Sequence, residues 1–258
     1  MTLDSTPLPP WRLLATLAST PVSTTWRVEA GGELAVLRED EPGARHLGLN
    51  RAAEPAVLRA AAAAGLGPAC RFADPARGLL LTDWLPGRAL TPAELREPDH
   101  LQRAAGLLRR LHATPLIGPV VDLGAAIERY AAAAGVAWAD LAATAHRQLA
   151  RAVADGGAEP CFCHNDPTPG NFIAGPSGSL HLIDWEYAGR CHPEFDLAGL
   201  AVGAALTEEG VNLLLQTYRG RPPTSAATDR HRAWSALCAS LGELWAGAVA
   251  AGGVDPGV

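Results

Sequence analysis

The sequence predicts an α+β protein with a small, β-rich N-terminal part that carries one helix and a larger, mainly helical C-terminal part. Two observations lead to this prediction. Alternating, β-prone runs around tight turns are confined to the first third of the chain, and long segments with apolar residues at helical spacing fill most of the rest. With 258 residues there is ample length for a core. We place the boundary at Asp83, so that the two parts are residues 1–83 and 84–258.

The N-terminal part is predicted to open with a hairpin, because an alternating run is followed by Gly31-Gly32 and a second β-prone run. A helix with Asn50 as its N-cap is expected next, and Gly65 ends it. The predicted elements are, in order, strands at Thr24–Val28 and Leu34–Arg38, a helix from about Asn50 to Ala64, and strands at Ala69–Phe72 and Gly78–Thr82.

The C-terminal part is predicted to hold five helices, of which the first has apolar residues along one face. An apolar strand precedes Asp184, and a frayed end is expected from Gly252 to Val258. The predicted helices are Pro92–His112, Leu123–Ala134, Trp138–Ala154, Glu208–Tyr218 and Arg230–Ala251, and the strand is Leu180–Ile183.

Composition excludes several classes of partner. The formal net charge of −6 and the lack of a basic stripe with interleaved aromatics argue against nucleic acid. No run approaches the ~18 apolar residues of a membrane span. A polar, Pro-rich beginning and an odd count of five cysteines favour a reduced, cytoplasmic setting. No obligate protein partner is indicated. All 21 basic side chains are arginine, so any phosphate-binding cation must be a guanidinium.

The segment from 161 to 189 carries the chemistry. His164, Asp166 and Asn171 lie on one short loop, and Asp184 follows thirteen residues later at the end of an apolar run, after the turn at 175–178. Kinases use this arrangement: one carboxylate receives the proton of the attacking hydroxyl, and an amide and a second carboxylate hold Mg²⁺ on ATP. His164 is expected to orient the loop by hydrogen bonds.

These residues carry a resemblance to a known family. The patterns H-N-D-x4-N, L-I-D-W-E-Y-A-G and F-D-L-A, at 164–171, 182–189 and 195–198, are similar to those of the choline/ethanolamine kinase and aminoglycoside phosphotransferase superfamily, and most closely to its bacterial choline kinase and thiamine kinase-like branch. The segments 50–54, 65–68 and 109–112 also resemble that branch. The resemblance implies a two-lobed, protein kinase-like fold that uses Mg²⁺ and ATP.

The resemblance also implies individual roles. Asp166 is the catalytic base, Asn171 and Asp184 bind Mg²⁺, and Asp196 braces the catalytic loop. Glu54 pairs with Arg38, whose fork suits the α- and β-phosphates. The adenine is expected to bond to hinge backbone near Asp83 and Leu85.

One segment departs from the family. Glycines are typical between the first two strands, where backbone amides approach the phosphates. The corresponding residues, 18–24, contain no glycine, and Pro21 lacks an N–H. Hydroxyls, including those of Ser23 and Thr24, are expected to contact the phosphates instead.

The acceptor is expected to be a small alcohol, with a cationic one favoured. Trp185 and Tyr187 flank Glu186, and Trp245 lies on the last helix, an inventory that suits a cation–π cage with a carboxylate. The alternative interpretation of Trp245 is a core anchor. Choline or ethanolamine comes first; thiamine and aminoglycosides follow, and a non-catalytic nucleotide-binding protein is the alternative from another class.

A zinc site is disfavoured. Cys161, Cys163, His164, Cys191 and His192 are close in sequence, but Cys-x-Cys-His is tighter than the usual spacing of structural zinc ligands.

Overall fold

The computed structural model describes residues 8–41, 47, 49, 51–115, 118–154, 158–176 and 178–252. Three sequence-based expectations fall outside these ranges: the N-cap role of Asn50, the place of Ser177 in the turn before the apolar strand, and most of the frayed end after Gly252. None of the helices within the described ranges is long and apolar enough to cross a membrane.

The N-terminal part is an antiparallel sheet of five strands in the order β1-β2-β3-β5-β4 with one helix, α1. The predicted hairpin is present, and Gly31 and Gly32 turn it with φ of +63° and +82°, the left-handed values that a tight hairpin turn requires. The elements are β1 Trp11–Ser19, β2 Ser23–Ala30, β3 Glu33–Asp40, α1 Glu54–Ala63, β4 Cys70–Asp74 and β5 Leu79–Asp83.

Two features of this part differ from the prediction. Strand β1 was not predicted; it is an edge strand with Trp11, Leu13 and Leu17 exposed, so it lacks the alternation of a half-buried strand. Helix α1 begins at Glu54 rather than near residue 50, and Pro55 lies in its first turn, where the absent N–H has no helical partner to lose.

The C-terminal part is built from helices of four to twenty-six residues and two small sheets. One predicted helix is divided into two. Helix α2 begins with a capping box between Thr91 and Glu94, and Pro98 begins α3. Helix α6 was not predicted. The helices are α2 Pro92–Leu95, α3 Pro98–His112, α4 Leu123–Ala134, α5 Ala139–Val153, α6 Pro193–Gly203, α7 Glu208–Arg219 and α8 Ser225–Ala250.

The small sheets hold the loop that carries the chemistry. Strand β7 pairs antiparallel with β10, and β8 lies between β6 and β9. The register of the second sheet places Phe172 opposite Leu182, so that the residues just before β8 and just after β9 meet at one end. The strands are β6 Arg88–Ala89, β7 Cys161–Cys163, β8 Phe172–Ala174, β9 Leu180–Leu182 and β10 Gly189–Cys191.

A buried apolar cluster contains residues of both parts. Val57 and Leu58 of α1 belong to the same apolar core as Phe172 and Leu182 of the small sheet. The backbone follows: the Leu182 amide donates to the Leu66 carbonyl at 2.7 Å. Because α1 is anchored on this core, the end of β9 is held close to β3 and α1. The fold is therefore a two-lobed α+β fold, while the division at Asp83, where β5 ends, remains a prediction.

Candidate active site

The loop after β7 is held by a buried carboxylate. Asp196, in the first turns of α6, is fully buried and accepts the backbone amides of His164 at 2.9 Å and Asn165 at 2.7 Å. Asn165 has φ of +66°, a conformation that costs energy in a residue with a Cβ and that asparagine tolerates better than most. His112 of α3 donates from Nε2 to the same carboxylate at 2.9 Å. Asp196 thus bonds to both residues at the entrance of the loop, and its role in bracing the catalytic loop stays a prediction.

His164 fastens the loop to the end of β9. Its Nδ1 accepts the Asp166 amide at 3.3 Å, so the ring proton lies on Nε2, which donates to the Ile183 carbonyl at 2.9 Å. Burial lowers the His164 pKa, and the neutral ring that results suits one acceptor and one donor nitrogen. These bonds tie His164 to both ends of the segment, and its role in orienting the loop stays a prediction.

Asp166 and Asn171 are bonded to each other. Asn171 donates from Nδ2 to Asp166 Oδ2 and to the Asp166 carbonyl, both at 2.9 Å. Burial, followed by the nearby charges of Asp184 and Glu186, raises the Asp166 pKa to about 8. A carboxylate that is destabilised in this way is a better proton acceptor than an exposed one. Because its nitrogen faces Asp166, Asn171 keeps its side-chain oxygen for another ligand.

Asp184 lies two residues after the end of β9. Its φ is +65°, which in a residue with a Cβ is a strained conformation of the kind found at functional sites. Its side chain is 41% exposed, the most open carboxylate in this region, and Oδ1 lies 3.4 Å from Arg38 Nη1. The strained backbone aims the carboxylate at the space between the two lobes.

Two arginines and four carboxylates form what we call the interlobe ion network. Arg38 of β3 makes a bidentate pair with Glu54 of α1, at 2.9 Å from Nη1 and 2.6 Å from Nη2. The network consists of Arg38, Arg51, Asp40, Glu54, Asp184 and Glu186. Burial alone lowers the Arg38 pKa, but its carboxylate partners outweigh it and keep the guanidinium charged.

Arg51 was not identified from the sequence. It lies before α1 and reaches Glu186 across the lobes, with Nη1 2.6 Å from Oε2. It also donates to Asp40 from Nε at 2.7 Å and to Glu54 from Nη1 at 3.2 Å. Burial and Asp184 raise the Glu186 pKa to about 7 in spite of the two guanidinium groups beside it. Glu186, expected in the acceptor pocket, has its observed contacts in the interlobe ion network.

The donor set fits Mg²⁺. Asn171 offers an amide oxygen and Asp184 an accessible carboxylate, which are the hard ligands that Mg²⁺ prefers. Both residues border the same small sheet, and the Ile183 amide donates to the Asn171 carbonyl at 2.9 Å, which ties their backbones together.

The turn between β1 and β2 is closed on itself. The Thr20 hydroxyl accepts the amides of Val22 at 3.2 Å and Ser23 at 3.1 Å, and the Thr20 amide donates to the Ser23 carbonyl at 3.0 Å. The Thr24 hydroxyl contacts the Ser19 hydroxyl and the Glu41 carboxylate, each at 3.2 Å. The roles of Ser23 and Thr24 toward phosphate remain predictions.

The segment after β5 is the predicted hinge. The Asp83 amide donates to the Ala69 carbonyl at 2.9 Å and its carboxylate accepts from Arg71 at 2.5 Å, so both groups are engaged within the sheet. Leu85 is half-buried two residues on. Arg27 lies over the Trp84 ring, 5.5 Å from its centroid. A contact of adenine with this segment remains a prediction, and the backbone of Leu85 is the better placed of the two residues proposed for it.

The aromatic residues divide into a core set and a pocket set. Trp185 is 1% exposed, bonds to the Leu182 carbonyl at 3.0 Å and packs against Phe162 and His164. This corrects the assignment of Trp185 to the acceptor pocket, since its ring forms the floor under the catalytic loop.

Tyr187 and Trp245 are half-buried and bonded to each other, from the indole Nε1 to the hydroxyl at 3.0 Å. Burial, then neighbouring Tyr130 and Glu186, raises the Tyr187 pKa. Tyr130 of α4, which the sequence interpretation missed, lies close enough to Tyr187 for each to affect the pKa of the other. The Asn165 side chain donates to the Tyr187 carbonyl at 2.9 Å, so this aromatic group is tied to the catalytic loop.

Among the described residues, one group of potential metal ligands comes together, and it differs from the set considered above. Among the residues that the structure describes, the metal-type ligands that come together are His112, Cys161 and Cys163, with ligand atoms within 4.8 Å. Both His112 nitrogens are already bonded, to Tyr218 and to Asp196. The two thiols contact each other at 3.6 Å. The cluster is accounted for by its own hydrogen bonds.

Comparison with known proteins agrees with this geometry. A family model described as "Phosphotransferase enzyme family" matches residues 16–234. The protein LicA of Haemophilus influenzae is 43% identical over 56 residues, which are 22% of this chain and 21% of LicA, so the chain matches about a fifth of the length of this curated relative.

Solved structures extend the likeness over most of the chain. A choline/ethanolamine kinase family protein from Mesorhizobium loti gives a TM-score of 0.73 at 26% identity, over 94% of this chain and 82% of that one. Choline kinase LicA from Streptococcus pneumoniae gives 0.77 at 21% identity, over 95% and 89%. A structure of LicA in complex with AMP gives 0.77 at 20% identity, over 92% and 84%.

Proposed function

The chain belongs to the phosphotransferase enzyme family, and on this premise we propose that it transfers the γ-phosphoryl group of ATP to a hydroxyl of a small alcohol, with choline or ethanolamine first among the acceptors. The observation that carries the proposal is the hydrogen bond between Asp166 and Asn171 beside Asp184. Arg38, which is paired with Glu54, contacts Asp184 from the other lobe.

In this proposal Asp166 orients the acceptor hydroxyl and receives its proton. The Asn171 side chain fixes the rotamer of the carboxylate, so that Oδ1 is directed at the hydroxyl. Arg38, held by both oxygens of Glu54, binds phosphate oxygens through its remaining N–H groups. Asn171 and Asp184 hold Mg²⁺, which offsets charge on the phosphates when it is bound.

The acceptor is proposed to lie against Tyr187 and Trp245. Half-buried aromatic rings beside several carboxylates favour a cation, because the ring faces attract positive charge and the carboxylates raise its local concentration. Aminoglycosides and thiamine remain candidates of the same reaction class. A polycationic aminoglycoside needs more acidic groups in the C-terminal lobe than this aromatic group supplies.

Asp166→Asn tests the assignment of the base. The variant keeps the shape of the side chain and its contact with Asn171, so nucleotide binding is expected to stay within about twofold, whereas kcat is expected to fall by about 10²–10⁴. ATP consumption is measured against choline, ethanolamine, thiamine and an aminoglycoside, with Asp229→Asn on the exposed face of α8 as the control. Unchanged turnover in Asp166→Asn shows that the base lies elsewhere.

One observation favours the alternative of a non-catalytic nucleotide-binding protein: the closed turn between β1 and β2 engages the amides that kinases offer to phosphate. Titration of the wild-type protein with ATP and Mg²⁺ separates the alternatives. Binding without turnover of any acceptor supports the non-catalytic protein, and no binding at millimolar ATP rejects both.

A further inference from the structure

The turn between β1 and β2 leaves the phosphates short of donors. Of its residues 20–23, Pro21 has no N–H, and the amides of the other three are bonded within the turn. The chain contains no lysine. If the nucleotide binds as proposed above, side-chain guanidinium groups must supply the positive charge that backbone amides supply elsewhere.

Arg38 alone is a limited source of that charge. Both of its terminal nitrogens are bonded to Glu54, and Nη1 also faces Asp184 and Glu186 at 3.4 and 3.5 Å. Arg51 has a different distribution of partners. Its shortest contact on the Nη1 side is the 2.6 Å bond to Glu186, a residue of the other lobe, and its Glu54 contact is longer at 3.2 Å.

The rear edge of Arg51 is fixed. Its Nε bonds to Asp40 at 2.7 Å, and Arg51 lines a cavity of about 10 Å³ together with Arg38 and Asp40. Arg51 Nη2, Arg38 Nε and Asp40 Oδ1 are buried without a hydrogen-bond partner among the described protein atoms. Arg38 Nε and Asp40 Oδ1 face each other at 3.5 Å, an ion-pair distance. With its Nε held by Asp40, Arg51 presents Nη1 toward Glu186.

We infer that Arg51 is a second phosphate-binding guanidinium, which donates from its Nη1 edge to the β- or γ-phosphate while Glu186 shares or yields that edge. The inference rests on the proposed binding of ATP. Both arginines reach the same Oε2 atom of Glu186, so a single oxygen separates their Nη1 groups. A phosphate oxygen bound to Arg38 therefore lies beside Arg51, and the two guanidinium groups contact the phosphates from two sides.

The test is a comparison of AMP, ADP and ATP by calorimetric titration with Mg²⁺, in the wild type, Arg51→Met and Arg51→Lys. A charge-assisted bond to phosphate is worth about ten- to a hundredfold in Kd. Arg51→Met is expected to weaken ATP by that factor, ADP by less, and AMP by under twofold. Arg51→Lys keeps the charge without the fork and is expected to fall between the wild type and Arg51→Met for ATP.

Arg219→Met is the matched control, because it breaks a buried ion pair with Glu194 outside the interlobe ion network. It is expected to leave all three affinities unchanged. Equal weakening of AMP and ATP in Arg51→Met, or none, overturns the inference. If Arg51→Met does not melt cooperatively, Arg51→Lys decides: ATP affinity equal to the wild type overturns the inference, and a selective loss for ATP supports it.

The proposed function fails by a different result. If the wild-type protein binds ATP but turns over no acceptor, and the Arg51 variants selectively lose affinity for ATP, the inference stands and the proposed reaction is rejected. A wild-type protein that turns over an acceptor while Arg51→Met binds ATP normally rejects the inference alone.

Discussion

Asp196→Asn is the substitution for which the structure gives the most direct magnitude. The Asp196 carboxylate is fully buried and accepts three bonds: from the His164 amide and His112 Nε2 on one oxygen, and from the Asn165 amide on the other. An amide group at this position replaces one acceptor with a donor. With its oxygen in the place of Oδ2 it keeps two bonds but sets an NH₂ group against the Asn165 amide.

The cost has two parts. A hydrogen bond to a charged group is worth about 1.5–3 kcal/mol, and a buried donor without a partner costs about 1–3 kcal/mol. Asp196→Asn is therefore expected to lower the free energy of unfolding by about 3–5 kcal/mol. At roughly 2–4 °C for each kcal/mol in a protein of this size, Tm falls by about 10 °C.

Calorimetry and urea unfolding measure this change, with Asp229→Asn as the control. Asp229 forms an exposed pair with Arg232, and such a pair contributes less than about 1 kcal/mol. Because Asp196 holds the entrance of the catalytic loop, kcat is expected to fall by more than the unfolded fraction of the protein explains. The affinity for ATP is expected to change little. A Tm equal to that of Asp229→Asn refutes the argument that this carboxylate holds the loop.

Two further predictions concern the packing under the loop and its pH dependence. Gly67→Ala places a Cβ 2.7 Å from the Trp185 indole nitrogen and is expected to cost about 1–3 kcal/mol, whereas Gly106→Ala, inside α3 with nothing within 4 Å, is expected to gain about 0.5–1 kcal/mol; thermal unfolding that ranks them equally contradicts the packing. Burial alone lowers the His112 pKa, but Asp196 outweighs it and the pKa is raised. Its contribution to stability is thus complete below the ordinary value of 6.5 and is lost as pH rises through the folded-state pKa, so urea unfolding of His112→Gln is expected to lose that part of the pH dependence; an unchanged profile assigns it to another group.

The local parts of the fold were predictable from the sequence. The hairpin of β2 and β3 follows from alternation and Gly31-Gly32, and the segment from β7 to Asp184 keeps all its chemistry within about twenty residues. The missed elements lack local signals. Strand β1 is an exposed edge without alternation, and α6 is eleven residues long with apolar side chains on most of its circumference, so periodicity marks neither.

The site was predictable where a residue and its partner belong to one short segment, and otherwise only through the family resemblance. Arg51 and Glu186 are 135 residues apart, and nothing near either residue indicates the other. Trp185 adjoins Asp184 but points into the core, because neighbouring residues outside regular structure need not share a face. Tyr130 contributes its hydroxyl from α4, an element whose sequence shows only an apolar face.

The interlobe ion network brings distant residues into one cluster of charges. Its four carboxylates exceed its two guanidinium groups by two negative charges, with Asp166 close by. In the proposed reaction a triphosphate alone meets net repulsion there, and a divalent cation at Asp184 would cancel the two excess negative charges. Burial first, and then the neighbouring carboxylates, raises the pKa values of Asp166 and Glu186. On the proposed function, metal, nucleotide and lobe contact are coupled through one set of charges, since the guanidinium groups that bond across the lobes are those proposed to bind the phosphates.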